Sequence, residues 1–359
     1  MPGMGKPGNG QTWEFNQTSN LWQPVTVGSG ATTGLAANRP SPTGSGKLYF
    51  CTDIPVAYFD NPNTSLWQQF FAEYMPAPPA ASNFTITPAN SLSITNYADA
   101  LRVLNATNNS NTNCALIPAS GQLNPTAAWT VTLVATFLPI TNSDYPDFGV
   151  GVSNGTTSGT STIYGLSVAT NGYSPYIHQE VYTIGGGRSQ NNNEQSPASP
   201  WFSFGNGRIH LRILNDTYAM RYQVSNDGFN WLDWYSTSSV SGLTDYGIWM
   251  AAAGGSVNYS QVLVYSLALG TPTQYNVTGA TNASPSVITI GTHSILPGDL
   301  VSVTGSNGNT GINTSQYGTG NGVQSAAVVA SVTSTTITLN GYNGNGTWTS
   351  GGVVTLLSR

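Results

Sequence analysis

From Trp129 to Phe137 apolar residues take every second position: Trp129, Val131, Leu133, Ala135 and Phe137. That period recurs through most of the chain and sends successive side chains to opposite faces of an extended strand. Phe148, Val150 and Val152 repeat it, as do Tyr164, Leu166 and Val168. Ile209, Leu211 and Ile213 alternate with Arg208, His210 and Arg212. Tyr218, Met220, Tyr222 and Val224 lead into Asn226-Asp227-Gly228, a hairpin signal, and Trp231 to Tyr235 form the return strand. Two more strands are expected at Tyr246–Met250 and Gln261–Leu269. Helical spacing occurs only at Ser65 to Tyr74 and Tyr97 to Leu104, each predicting about two turns. The fold class is all-β.

Length and composition narrow the setting. A chain of 359 residues suggests two or three domains. Only 6% of the residues are charged, and 41 glycines with many Asn, Ser and Thr fill the polar positions. The 9 Trp, 18 Tyr and 11 Phe nevertheless supply real cores. Net charge is −5 with no basic run, which argues against nucleic-acid binding. Arg208 and Arg212, alternating in one strand, read as a solvated sheet face. The opening MPGMGKPGNG has no apolar run, so neither a secretion signal nor membrane insertion is expected. Cys51 and Cys114 read as buried free thiols.

Three units follow. Residues 1–80 hold a Gly/Pro leader, an aromatic segment from Trp13 to Trp22 and a pair of short strands, and end at Pro76-Ala77-Pro78-Pro79. Within them, Arg39-Pro40, a Pro/Gly/Ser cluster, Leu48-Tyr49-Phe50-Cys51-Thr52-Asp53, Tyr58-Phe59 and Trp67 resemble a hairpin module that recurs in bacteriophage tail and fibre proteins. Residues 81–271 carry the period-two strands of a two-sheet sandwich. There the run from Arg208 to Ser236, followed by Tyr246 to Gly255 and Ser260 to Leu269, resembles the concanavalin/laminin-G-like jelly-roll superfamily. That fold hosts lectins, hydrolases and inert modules alike. Residues 272–359 are similar to the small FCCH-type β-barrel. The matching residues are Gly279 to Asn282, Val287-Ile288-Thr289, His293, Gly298-Asp299 with Val301, Thr336 to Gly341 and Gly351-Gly352. The stretch Gly311 to Asn321 departs from the usual short loop and reads as a contact tip.

Chemistry is sparse in the sequence. A glycosidase needs two carboxylates about 5–10 Å apart, and the Glu-x-Asp-x-x-Glu strand of the related hydrolases is absent. Asp144 and Asp147, in NSDYPDF, read as turn chemistry, a calcium ligand pair or catalytic acids, in that order. His178 and Glu180 share one face of a strand with Tyr176 and Tyr182. They read as a polar outer face, or as a sugar or metal site completed from elsewhere. No Ser-His-Asp order and no phosphate loop is present; Gly185-Gly186-Gly187-Arg188 reads as a flexible loop. Sugar binding requires aromatic planes and short polar side chains. The segment from Tyr173 to Phe204 supplies Tyr173, Tyr176, His178, Glu180, Arg188, Asn192 and Trp201, the candidate glycan site.

The resemblances together imply a phage virion appendage. It would be a tail fibre or tip held to other virion proteins through residues 1–80, presenting a lectin-like domain to host surface glycans, as a homotrimer with calcium as the one cofactor to consider. The alternatives are a head or tail decoration protein without host ligand, and a glycan depolymerase or bacterial lectin.

Overall fold

A computed structural model describes residues 12–16, 21–25, 32–34, 40, 43, 47–51, 57–61, 66–70, 78–87, 92–97, 100–105, 114–118, 123–139, 147–170, 175–186, 188–195, 208–226, 228, 230–251, 260–314 and 326–358. The chain divides into two compact units, Met1–Pro76 and Ala77–Arg359. Among the described residues there is no α-helix and no helix long and apolar enough to cross a membrane.

The first unit contains β1 (Thr12–Asn16) and β2 (Leu21–Val25), an antiparallel pair. It also contains β3 (Thr32–Gly34), β4 (Leu48–Cys51), β5 (Ala57–Asn61) and β6 (Leu66–Phe70), in a sheet ordered β3-β4-β5-β6. β4, β5 and β6 form an antiparallel meander with Leu48 opposite Phe59 and Asp60 opposite Trp67. The stretch with helical spacing at Ser65 to Tyr74 is thus a strand where it is described. Its apolar residues are few enough to fit either period, and the neighbouring strand decides.

The second unit begins with β7 (Phe84–Thr87), β8 (Ser93–Asn96), β9 (Leu101–Asn105) and β10 (Cys114–Pro118). It continues with β11 (Trp129–Pro139), β12 (Asp147–Ser153), β13 (Thr162–Thr170), β14 (Pro175–Thr183) and β15 (Arg188–Gln195). Then come β16 (Ile209–Asn215), β17 (Ala219–Ser225), β18 (Leu232–Ser238), β19 (Asp245–Ala251) and β20 (Ser260–Gly270). These fourteen strands make two seven-stranded sheets, ordered β15-β14-β13-β12-β19-β10-β7 and β18-β17-β16-β11-β20-β9-β8. The chain passes between sheets after β7, β9, β10, β11, β15, β18 and β19, the repeated crossing of a jelly roll. Two expectations change here. Tyr97 to Leu104 runs into strand β9, and the segment from Tyr173 to Phe204 holds, beside the expected strand β14, a second strand β15 paired with it.

The alternating residues do what their period requires. Phe148, Val150, Val152, Leu166, Val168, Ile177, Ile248 and Met250 of the first sheet meet Val131, Leu133, Ile209, Leu211, Ile213, Met220, Tyr222, Val224, Val262 and Val264 of the second. Phe137 and Phe148 stack across the layers with centroids 6.4 Å apart.

The C-terminal part has its own core, built on Val277, Ile288, Val301, Val303, Ile337, Leu339 and Val354. Its strands are β21 (Gln274–Asn276), β22 (Gly279–Ala280), β23 (Val287–Thr289), β24 (Leu300–Asn307), β25 (Ala327–Val332), β26 (Thr336–Leu339) and β27 (Ser350–Ser358). They are ordered β21-β27-β24-β25-β26-β23-β22. One continuous segment therefore supplies both end strands of the sheet: β21 pairs with β27 and β22 with β23.

Candidate functional site

The expected site residues fall in different places. Tyr173, Trp201 and Asp144 lie outside the described residues, as do residues 315–321 of the expected tip. Tyr176 and Arg188 are in β14 and β15, and Asn192 pairs with Gln179. Their side chains are outside the described set.

His178, Glu180 and Asp147 do come together, on the face of the first sheet turned away from the sandwich core. They are sealed rather than solvated: His178 is 2% exposed, Glu180 0% and Asp147 4%. The Tyr182 hydroxyl hydrogen-bonds to Glu180 Oε2 and, at 3.1 Å, to Asp147 Oδ2. Ser167 Oγ donates to the same Glu180 oxygen at 3.3 Å, and His178 Nδ1 lies 3.3 Å from Glu180 Oε1. The Asp147 carboxylate thus belongs to the start of β12, not to a loop. Among the described residues no group of three His, Cys, Asp or Glu is placed to hold a metal ion.

A row of glycines explains how this face closes. Gly165, Gly151 and Gly247 are register neighbours across β13, β12 and β19, and Glu180 continues the row in β14. The Trp249 indole lies over the side-chain-free strip: a Cβ at Gly165 would stand 2.3 Å from Trp249 Nε1, and one at Gly151 3.0 Å from Cδ1. Trp249 packs on Tyr182 with ring centroids 4.5 Å apart. Two carboxylates do meet at one hydroxyl, as an acid/base pair would, but no substrate reaches them through this closed face.

The open concavity is elsewhere, at the junction between the outer face of the second sheet and the last strand of the C-terminal sheet. It is a cleft of about 230 Å³ lined by Thr130, Arg212, Trp231, Thr273, Leu356 and Ser358, among others. Trp231 follows the β17–β18 turn, where Gly228 adopts φ +77° and its carbonyl accepts the indole N–H at 3.0 Å. The Arg212 guanidinium sits over the indole, 4.0 Å from its centroid. Nε of Arg212 donates to Gln223 Oε1 at 2.7 Å, and Nη2 donates to the Leu357 carbonyl at 2.5 Å. The Trp231 backbone N–H donates to Ser358 Oγ at 2.8 Å. Arg212 is therefore half-buried under the C-terminal strand, and the expected solvated face is absent at this position. Desolvation lowers its pKa to about 9, against the opposing pull of Asp233; the guanidinium keeps its charge at neutral pH.

Sequence reasoning missed this cleft. The alternation of Arg208, His210 and Arg212 identified their face, but its partner strand lies some 145 residues further along. The Asn226-Asp227-Gly228 hairpin signal was the usable one, because it fixes Trp231 at a turn beside that face.

No family model matches this chain, and no curated protein matches it. Among solved structures it is similar to a legume lectin-like domain from Entamoeba histolytica, at 12% identity and a TM-score of 0.36, covering 53% of this chain and 90% of that one. It is also similar to the VIP36 exoplasmic/lumenal domain in a Ca2+/Man3GlcNAc-bound form, at 11% identity and a TM-score of 0.36, covering 54% and 86%. An alginate lyase from Corynebacterium sp. gives 11% identity and a TM-score of 0.31, covering 50% and 81%.

Proposed function

We propose that this chain is a carbohydrate-binding protein carried on a virus particle, with its sugar site in the cleft between the sandwich and the C-terminal sheet. One observation carries the sugar reading. A concave site of about 230 Å³ is walled by the hydroxyl side chains of Thr130, Thr273 and Ser358 beside an arginine stacked on a tryptophan. Small-molecule sites favour such junctions, and hydroxyls with a fixed cationic fork suit a polyhydroxylated ligand.

The virion part of the reading is supported by the sequence of residues 39–67, with its resemblance to a phage hairpin module, and by the low charge of the chain. In it, residues 1–80 hold the protein to its neighbours and the sandwich faces a host glycan.

A glycan microarray probed with the full chain and with Thr273→Trp tests the site. Thr273 is exposed on the cleft rim, so the indole fills the cleft without disturbing a core. Binding by the parent chain that disappears in the variant is expected. Equal binding by both removes the cleft as the site. Antibody labelling of intact particles tests the location: unlabelled particles would sink the virion role.

A further inference from the structure

We infer that the cleft selects an acidic saccharide, whose carboxylate is held by Arg212. This rests on the cleft being the glycan site.

The first support is how the charge of Arg212 is balanced. Both of its hydrogen bonds go to neutral acceptors, the Gln223 side-chain oxygen and the Leu357 carbonyl. The acid that acts on it through space, Asp233, is occupied: Oδ2 accepts from Arg221 Nη1 at 2.8 Å and Oδ1 accepts from Gln223 Nε2 at 2.6 Å. The Gln223 amide thus stands between the two charges, donating to Asp233 and accepting from Arg212. Arg212 has no direct carboxylate partner among the described residues.

The second support is geometry. A guanidinium has five N–H donors in a planar fork that matches a carboxylate. Two are committed, and the stack on Trp231 fixes the plane of the fork at the cleft wall. An arriving carboxylate meets an oriented cation that has already been partly stripped of water, which costs little further ordering. The hydroxyls of Thr130 and Thr273 line the cleft where the sugar ring would lie.

The experiment is a set of titrations with the full chain, using uronate- and sialate-bearing oligosaccharides and the same oligosaccharides as methyl esters. Esterification removes the charge and leaves the hydroxyls. The expected result is at least a tenfold preference for an acid over its ester. Arg212→Gln should abolish that preference while leaving the melting temperature close to the parent's, since the amide nitrogen takes the place of Nε and can still donate to Gln223. If Arg212→Gln fails to fold, Arg212→Lys serves: it keeps the charge, loses the fork, and is expected to reduce the preference. Equal binding of acid and ester, lost in Thr273→Trp, overturns the acidic selection and leaves the glycan site standing. Binding of no acid, ester or neutral glycan overturns both.

Discussion

Asp216 and Ser302 are 86 residues apart in sequence and share a buried hydrogen bond of 3.1 Å, from Ser302 Oγ to Asp216 Oδ2. The other Asp216 oxygen accepts the backbone N–H groups of Tyr218 and Ala219, at 3.0 and 2.8 Å, closing the β16–β17 turn. Arg221 Nε lies 3.7 Å from Asp216 Oδ2. One carboxylate therefore shapes a turn of the sandwich and holds strand β24 of the C-terminal sheet. Asp216→Ala is expected to cost about 3–5 kcal/mol, because it strands buried partners. Ser302→Ala should cost about 1 kcal/mol. Urea unfolding of the two variants and their double should show coupling above about 0.5 kcal/mol; additive effects would mean the contact contributes nothing.

The residue between these contacts is strained. Thr217 is the one described non-glycine residue with positive φ, at 78°, and a β-branched side chain fits that region badly. The turn holds it there through Asp216 on one side and Ala219 on the other. Thr217→Gly should stabilise the protein by about 1 kcal/mol, the relief exceeding the added freedom of the unfolded chain. A lower urea midpoint for the variant would contradict this.

Gly165 is required by its neighbour rather than by its backbone angles. A methyl group there would meet Trp249 Nε1 at 2.3 Å, in a face where Trp249 is 1% exposed and cannot swing aside. Gly165→Ala should cost about 1–3 kcal/mol as an overpacking change. Much of that cost should vanish in a Trp249→Leu background, where the strip is vacant. Chemical denaturation of the three variants decides it: an equal cost in both backgrounds would show that the indole is not the obstacle.

Alkaline pH should destabilise the sandwich through its tyrosines. Burial raises the pKa of Tyr222 well above the ordinary 10.0, and Tyr235 and Tyr246 shift the same way. Above pH 10 the unfolded chain releases protons that the native protein retains. The stability contributed by Tyr222 is complete below pH 10.0 and is lost as pH rises toward the native value, by up to about 1.4 kcal/mol per pH unit. Tyr222→Phe, which cannot ionise, should flatten that slope. Urea midpoints measured from pH 8 to 11 would show it; identical slopes would count against a neutral buried Tyr222.

The strands of the sandwich core were legible because one face of each packs inward, and the period of two survives wherever β11, β12, β13, β16 and β17 cross the core. β15 was not legible. RSQNNNEQ has neither apolar alternation nor β-branched residues, and it becomes a strand by pairing with β14 at the sheet edge. The sites failed for a related reason. His178, Glu180 and Arg212 sit at polar positions of good strands, and polarity by itself suggests solvent. Whether such a face is wet depends on what covers it, and that information lies in distant sequence: Trp249 over the glycine row for Glu180, and Leu357 for Arg212.

That the single segment from Gln274 to Ala280 supplies both end strands of the C-terminal sheet has a consequence for how copies can meet. Those end strands are short, three residues in β21 and two in β22, so each offers few backbone N–H and C=O groups to a strand from another chain. Among the described residues of the second unit, the other free edges are those of the sandwich, β7, β8, β15 and β18. Of these, β7 and β8 are only four residues long. The longer lateral edges are the amide-rich β15 and β18, whereas the C-terminal part meets other copies mainly through its side chains.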